Sequence, residues 1–305
     1  MNKVEATETF PDYSFKLLYN KPDHILLNGK RKLLFVNYKS SKHEIKTSWC
    51  IPILSKVKLP LSAPFACPEI QHLTVKETSH FILSTIDILK QYQVESVEIV
   101  LPPEGYSTYH TSLIAEILMS EGFGIKKVIN HFLLDVNKEV LFEQFVEKIQ
   151  VRKLKKAREK YFTFDLVGKK NVKEIYQFIF EQRQNKKYQL SLSFDKIKKI
   201  LTEFPQSVKL FCVKDETKII AACIAILPDD STCYTLYYDQ DLTYKSTSPN
   251  VFLLEGIYNW CKTNHIKRID LGSAHIDNKP NIGLQDFKLN AGAYPSAKLT
   301  LYKEL

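Results

Sequence analysis

Asp270 lies near the end of a short strand-like segment, Arg268 to Leu271, that runs into Gly272. A carboxylate at a strand end opening into a cleft suits a general base or an amine-orienting group. Hydrogen bonding to loop N–H groups is the other use of such a residue. Further on, Ile282 to Asn290 reads as a short helix with Gly292 as a left-handed cap. Within it, Phe287-Lys288 sets a cation beside an aromatic ring. Lys288 can stabilise negative charge or contact a phosphate, or be a surface lysine; Leu284 and Phe287, taken to face the core, set its direction. Tyr237, Tyr238 and Tyr244 are candidate proton donors or substrate walls, among 16 tyrosines. Arg183, Lys186 and Lys187 end a predicted helix and could reach an anionic substrate or simply be solvated. His275, in the loop after Gly272, is the histidine best placed to meet substrate. Lys245, Thr247 and Ser248 could bind phosphate by charge and hydroxyl, although Ser248 serves equally as a helix N-cap.

The elements that must hold these residues are clearest in the second half. Tyr161 to Val167 alternates like a strand, and Asn171 with Glu174 opens a helix to about Lys186 in capping-box fashion. Phe194 to Phe204 is a second helix. Val208 to Val213, Ile219 to Leu227 and Cys233 to Tyr238 are three strands joined by tight turns. Ser248-Pro249 starts a helix in which Val251, Leu254, Tyr258 and Cys261 repeat at helical spacing. The resulting order is β-α-α-β-β-β-α-β-α-β. The first half repeats its later part: a hairpin from Leu33 to Tyr38 and Ile45 to Ile53, a proline-rich loop from Leu59 to Ile70, and a helix capped by Thr74. A strand from Ser96 to Leu101, a helix from Ser107 to Glu121 and an extended segment from Gly124 to Val136 follow. The pair of long helices is missing there, and a helix from about Lys138 to Lys160 links the halves.

The 305 residues, 44% hydrophobic and 25% charged, have an ordinary globular composition sufficient for one large or two medium domains. No apolar run is long enough to span a bilayer and the first residues lack a hydrophobic leader, so the expectation is a cytoplasmic protein without membrane insertion. Six dispersed cysteines without ligand spacing point to reduced, buried thiols and no metal. The formal charge of +9 implies attraction to a polyanion. Much of it lies in residues 152–160, RKLKKAREK, either a nucleic-acid contact or a solvated helix face.

Three segments in order carry a resemblance: VRKLKKAREKYFTFDL, SPNVFLLEGIYNWCKTNHIKRIDLG and GLQDFKLNAGA. With the element order, they make the chain similar to the tandem-GNAT N-acyltransferase group that includes the Fem-type (FemAB-like) peptidoglycan-bridge aminoacyltransferases of bacteria. The resemblance covers nearly the whole chain, weakly in the first 60 residues. It implies an α/β (α+β) fold of two GNAT-like domains in tandem, each a mixed, largely antiparallel sheet flanked by helices. The domains would be a shortened copy over 1–148 and a complete one over 149–305.

The resemblance also implies a chemistry. In GNAT folds the fourth strand splays from the fifth and its N–H groups bind the acyl carbonyl, which places Leu236, Tyr237, Tyr238 and Asp239 at the site. The helix after Ser248 would aim its N-terminus at phosphate, with Lys245, Thr247, Ser248 and Asn250 as cofactor-binding residues. Asp270, Lys288 and Tyr238 are the catalytic candidates, and Arg183 and His275 the substrate-binding ones. Two departures from common acetyltransferases stand out. The pyrophosphate loop has no glycine, and Phe287 replaces the tyrosine that protonates the leaving thiolate. In Fem-type relatives the lysine matching Lys288 is associated with the acyl donor. The readings are therefore transfer from acetyl-CoA or another acyl-CoA to an amine of a small molecule, amino sugar or peptide; transfer from an aminoacyl-tRNA held by the basic helix 152–160; or a degenerate module that binds without catalysis.

Overall fold

A computed structural model describes residues 2–27, 29–106, 109–276 and 279–305. In chain order its elements are β1 (Lys3–Thr7), α1 (Pro22–Leu26), β2 (Leu33–Lys39), β3 (Ile45–Pro52), β4 (Lys56–Leu59), α2 (Val75–Gln91), β5 (Ser96–Val100), α3 (Thr111–Ser120) and β6 (Gly124–Asp135). Then come α4 (Lys148–Glu159), β7 (Thr163–Val167), α5 (Val172–Asn185), α6 (Phe194–Glu203), β8 (Val208–Asp215), β9 (Lys218–Ile226) and β10 (Thr232–Gln240). The chain ends with α7 (Pro249–Thr263), β11 (Arg268–Ser273), the short strands β12 (His275–Ile276) and β13 (Lys279–Pro280), α8 (Ile282–Asn290) and β14 (Tyr294–Glu304).

Two compact units result: Met1–Asn130 with Ser296–Leu305, and His131–Pro295. Each is built from both halves of the sequence. The last ten residues pair β14 antiparallel with β5, Thr300 opposite Val100 and Glu304 opposite Ser96, inside the first unit. Conversely, β6 enters the second unit and pairs antiparallel with β11, Arg268 opposite Asp135 and Asp270 opposite Leu133. A single cut at 148 does not describe this exchange, because backbone pairing is satisfied by strands distant in sequence.

In the first unit β1, β2 and β3 form an antiparallel sheet, and β4 pairs parallel with β5. Thr74 and Glu77 form a reciprocal capping box at the start of α2. Among the described residues, the helical segments between β1 and β2 are the five-residue α1 and a short 3-10 turn, with no long helix pair. The expected helix start at Ser107 lies outside the described residues; α3 begins at Thr111.

In the second unit the strand order is β6, β11, β10, β9, β8, β7, antiparallel except for β10 with β11, which the α7 crossover makes parallel. The linking helix is shorter than the periodicity predicts. A 3-10 turn over Phe142–Gln144 precedes α4, which starts at Lys148. Asn171 does not cap α5; its amide donates to the Glu174 carboxylate instead (3.2 Å). The apolar face of α7, including Val251, Leu254, Tyr258 and Cys261, is buried as its spacing predicts. All six cysteines are buried thiols. Among the described residues no helix is long and apolar enough to cross a membrane.

Gly256 shows how tightly α7 lies on the sheet edge. A Cβ built there would fall 2.1 Å from Phe164 Cδ2. Gly256→Ala is therefore expected to lower stability by about 1–3 kcal/mol through overpacking. The urea midpoint should fall, and Phe164→Leu in the same chain should restore part of it; an unchanged midpoint in the single variant would contradict this packing.

Candidate functional site

The parallel ladder between β10 and β11 lasts three residues: Thr232 with Arg268, Cys233 with Ile269, and Tyr234 with Asp270. Beyond Tyr234, β10 runs on to Gln240 paired with β9, after a register shift between Tyr234 and Tyr237. The β11 strand shifts register against β6 between Asp270 and Ser273, where Gly272 takes φ 71°. Such bulges re-aim strands and are frequent beside active sites. Past the break, the β10 edge presents backbone N–H groups without a strand ladder on the β11 side. The divergence opens a cleft of about 730 Å³ whose wall includes Tyr234 to Asp239, Leu271 and Gly272. The splay implied by the resemblance is thus a feature of the chain.

Alternation along β10 sends neighbouring tyrosines to opposite faces. Tyr237 points toward the α5–α6 connection, where its hydroxyl meets Ser191 Oγ (2.6 Å) and accepts from the Leu192 N–H (2.8 Å). Tyr238 packs against the core under α7, and its hydroxyl is buried without a hydrogen-bond partner. Burial raises the pKa of both phenols, so both stay protonated at neutral pH. Arg183 donates to the Tyr238 carbonyl (3.2 Å) and pairs with the buried Asp239 carboxylate (Nε–Oδ2 3.0 Å), which Lys186 also contacts. Lys187, exposed at φ 60°, and Tyr188 complete that rim.

Asp270 lies behind the cleft wall, fully buried. One carboxylate oxygen accepts from the Gly272 N–H (2.7 Å) and the other meets His131 Nδ1 (2.8 Å). His131, 2% exposed, is stacked on the Tyr234 ring at 6.0 Å between centroids, and Tyr234 faces the cleft. His131 is not among the residues singled out by type and spacing in the sequence. Its only signal there is a histidine at the start of the apolar run His131 to Leu134, 139 positions from its partner.

Lys288 is neither a surface lysine nor an extended arm. It is the buried residue of α8, whereas Leu284 and Phe287 are only half-buried. Its Nζ donates to the carbonyls of Leu271 (2.7 Å), Gly272 (2.9 Å) and Ser273 (2.8 Å), the complete donor capacity of an ammonium. Nζ also lies 5.4 Å from the centre of the Phe132 ring. Burial pushes its pKa down to about 7, with Asp270 pulling upward and Arg183 adding to the depression. At the end of α8 the Gly292 and Ala293 N–H groups bond the Leu289 and Lys288 carbonyls, a Schellman cap with Gly292 at φ 84°.

The N-terminus of α7 departs most from a phosphate cradle. Pro249 has no N–H, the Asn250 N–H is taken by Gln240 Oε1 (3.0 Å), and the Val251 N–H by the Ser248 carbonyl (3.0 Å). Ser248, at φ 47°, does not cap the helix; its hydroxyl turns back to the Lys245 carbonyl (3.2 Å). The Thr247 hydroxyl likewise donates to the Tyr244 carbonyl (2.9 Å). Asp241 brings a carboxylate to the same loop, bonded to the Thr243 N–H and hydroxyl. The backbone N–H groups and hydroxyls at the start of α7 are thus satisfied within the chain, while Lys245 is exposed.

The structure therefore gathers Arg183, Leu236, Tyr237, Tyr238, Asn250, His275 and Lys288 around one cleft. Asp270 stands behind it, while Lys245, Thr247 and Ser248 are not part of its wall. On α4, Arg152, Lys155 and Lys156 are exposed, as is Lys160 just after it, and Arg158 is committed to Glu143 (3.1 Å) and Glu255 (2.5 Å). Among the described residues no cluster of three or more His, Cys, Asp or Glu could hold a metal ion.

No protein-family model and no curated protein matches the sequence. Solved structures do match the fold. FemX is 11% identical over 94% of this chain and 92% of its own, with a TM-score of 0.69. L-PGS from Bacillus licheniformis is 13% identical over 94% and 88%, TM-score 0.56. A conserved protein of unknown function from Bacteroides thetaiotaomicron VPI-5482 is 9% identical over 90% and 84%, TM-score 0.54. This is a likeness of fold, and the chain has the tandem GNAT-like fold that the resemblance implies.

Proposed function

We propose that the chain is an N-acyltransferase that takes its acyl group from an aminoacyl-tRNA ester and delivers it to an amine. The observation that carries the donor assignment is the closed N-terminus of α7. A coenzyme A thioester would look there for free N–H groups, and Pro249, Gln240 and Ser248 leave none in the first turn. Beyond Tyr234 the β10 edge has no ladder with β11 and lines the cleft, which suits it to receive an acyl oxygen from any donor. Fold likeness to FemX and L-PGS agrees with this reading.

In the reaction the acceptor nitrogen attacks the ester carbonyl, the C–N bond forms and the bond to the ribose oxygen breaks. One proton leaves the nitrogen and one reaches the departing oxygen. The Tyr238 hydroxyl, protonated and without a partner, is the group suited to hydrogen-bond that oxygen. Asp270 and His131 act from behind by fixing Tyr234 and the Gly272 turn, and Lys288 by gathering the carbonyls that end β11. The exposed cations of α4 supply sequence-independent phosphate contacts.

Titration calorimetry of the full chain with charged tRNA, coenzyme A and acetyl-CoA tests the reading. Charged tRNA should bind with affinity falling steeply as salt rises, and Lys155→Glu with Lys156→Glu should weaken it more than about tenfold. Saturable binding of a coenzyme A thioester without a tRNA response would refute the donor assignment and restore the acyl-CoA reading. Silence toward both would leave a binding module without catalysis.

A further inference from the structure

A groove of about 410 Å³ lies beside α7 in the second unit, and none of its lining residues belongs to the cleft. Its aromatic lining is Phe164 of β7 with Phe252 and Trp260 of α7, all half-buried. The contacts fix its direction. Gly256 lies against Phe164, and Trp260, one helical turn on, meets Phe211, the ladder partner of Leu166. Four helical residues and two strand residues each advance about 6 Å, so α7 and β7 run side by side and the groove follows both. From Phe252 to Asn264 the helix provides about 18 Å and β7 about 16 Å, the length of roughly five extended residues.

The strand beside this groove is unfinished. β7 pairs with β8 along one edge, and among the described residues its other edge carries no ladder. Natural edges are ordinarily guarded by a lysine, a proline, a bulge or an inward charge. β7 reads TFDLV, and the charge of Asp165 is already matched by Lys214 of β8 (2.9 Å). Leu166, on the same strand face as Phe164, is 49% exposed. An open edge beside an apolar trough is suited to an added strand: ladder bonds give affinity, and alternate side chains enter the trough.

Charge selects the occupant. Lys160 precedes β7, Lys169 and Lys170 follow it, all three exposed, and Lys209 lies over the Trp260 ring at 6.0 Å. The acid of the groove, Glu255, is held by Arg158. A second copy pairing symmetrically about Asp165 sets Asp165 opposite itself and Lys160 opposite Lys170, and facing like charges destabilise a strand pair. A strand with acidic residues at its ends complements the same lysines. We propose that β7 and the α7 groove receive, by strand addition, an extended segment of a partner protein whose apolar residues alternate and whose ends carry Asp or Glu. The proposal concerns what the chain is recruited to and is independent of the acyl donor.

The test uses the full chain and fluorescein-labelled peptides followed by fluorescence anisotropy. DELTVTLDE has the required pattern, KKLTVTLKK reverses its charge, and DELVLTTDE keeps its composition but breaks the alternation. The first should bind saturably and each of the others at least about tenfold more weakly. Leu166→Asp, and separately Lys169→Glu with Lys170→Glu, should each weaken the first peptide at least about fivefold while leaving the transfer rate unchanged. N-methylating alternate central amides of that peptide should abolish binding in one phase of the alternation and spare it in the other, because only every second N–H faces β7. Equal affinity for the three peptides, or indifference to N-methylation, would overturn strand addition. If Leu166→Asp instead abolished binding of oligouridine, or dissociated a dimer, the groove would belong to a nucleic acid or to a second copy and the proposal would fail.

Discussion

Replacing Lys288 by methionine is expected to destabilise the second unit by roughly 3–5 kcal/mol and to slow transfer more than about tenfold. Methionine fills much of the aliphatic volume, so the loss isolates the ammonium. Without it the carbonyls of Leu271, Gly272 and Ser273, all within 2.9 Å of Nζ, lose their donor in a buried site. Those carbonyls end β11 at the point where it leaves β10, so the splay that forms the cleft loses its fastening. The wild-type chain should also carry a distinctive pH signature. Its Lys288 pKa is about 7 when folded, against 10.5 ordinarily. Between these values the unfolded chain binds the extra proton, so stability rises with pH across about 7 to 10.5 and is flat below, where both forms hold it. Urea midpoints from pH 6 to 10 should show this slope in the wild type and lack it in Lys288→Met. A midpoint unchanged by the substitution would mean that the ammonium does not hold the turn.

Asp270→Asn is expected to reduce turnover more than about tenfold while sparing most of the stability, whereas Asp270→Ala should cost about 3–5 kcal/mol. Asparagine keeps an oxygen for the Gly272 N–H but presents an amide to His131 Nδ1 where a carboxylate stood, forcing the imidazole to the other tautomer. The stacked Tyr234 ring then borders the cleft against a differently oriented partner. Alanine removes both hydrogen bonds at once in a fully buried position. Equilibrium unfolding of both variants, with transfer rates for Asp270→Asn, separates positioning from stability. Wild-type turnover in Asp270→Asn would remove the buried pair from the mechanism.

Much of the scaffold is legible in the sequence because it depends on local chemistry. Thr74 and Glu77 announce α2, Pro249 sits where α7 begins, and Gly292 closes α8, since caps and turns act over a few residues. The apolar spacing of α7 likewise names its buried face. Errors arose where a local signal had two outlets. Ser248 has the chemistry of an N-cap, but its backbone adopts φ 47° and its hydroxyl faces Lys245 instead. Lys288 carries a charge that composition assigns to the surface, yet three carbonyls from another element give it a buried home.

The amino-acid sequence by itself determined most of the element order, because periodicity, caps and turn residues are properties of neighbours along the chain, and the tandem GNAT-like fold class followed from the family resemblance that three of its segments carry. The same resemblance implied a site along β10, at Leu236 to Asp239. Only the tertiary structure decided which residues share that cleft. His131 reaches Asp270 because β6 is paired into the second unit, and Gln240 silences the helix end ten positions away by lending one amide oxygen to the Asn250 N–H. Both are matters of where a donor finds its acceptor in space, which spacing along the chain does not encode.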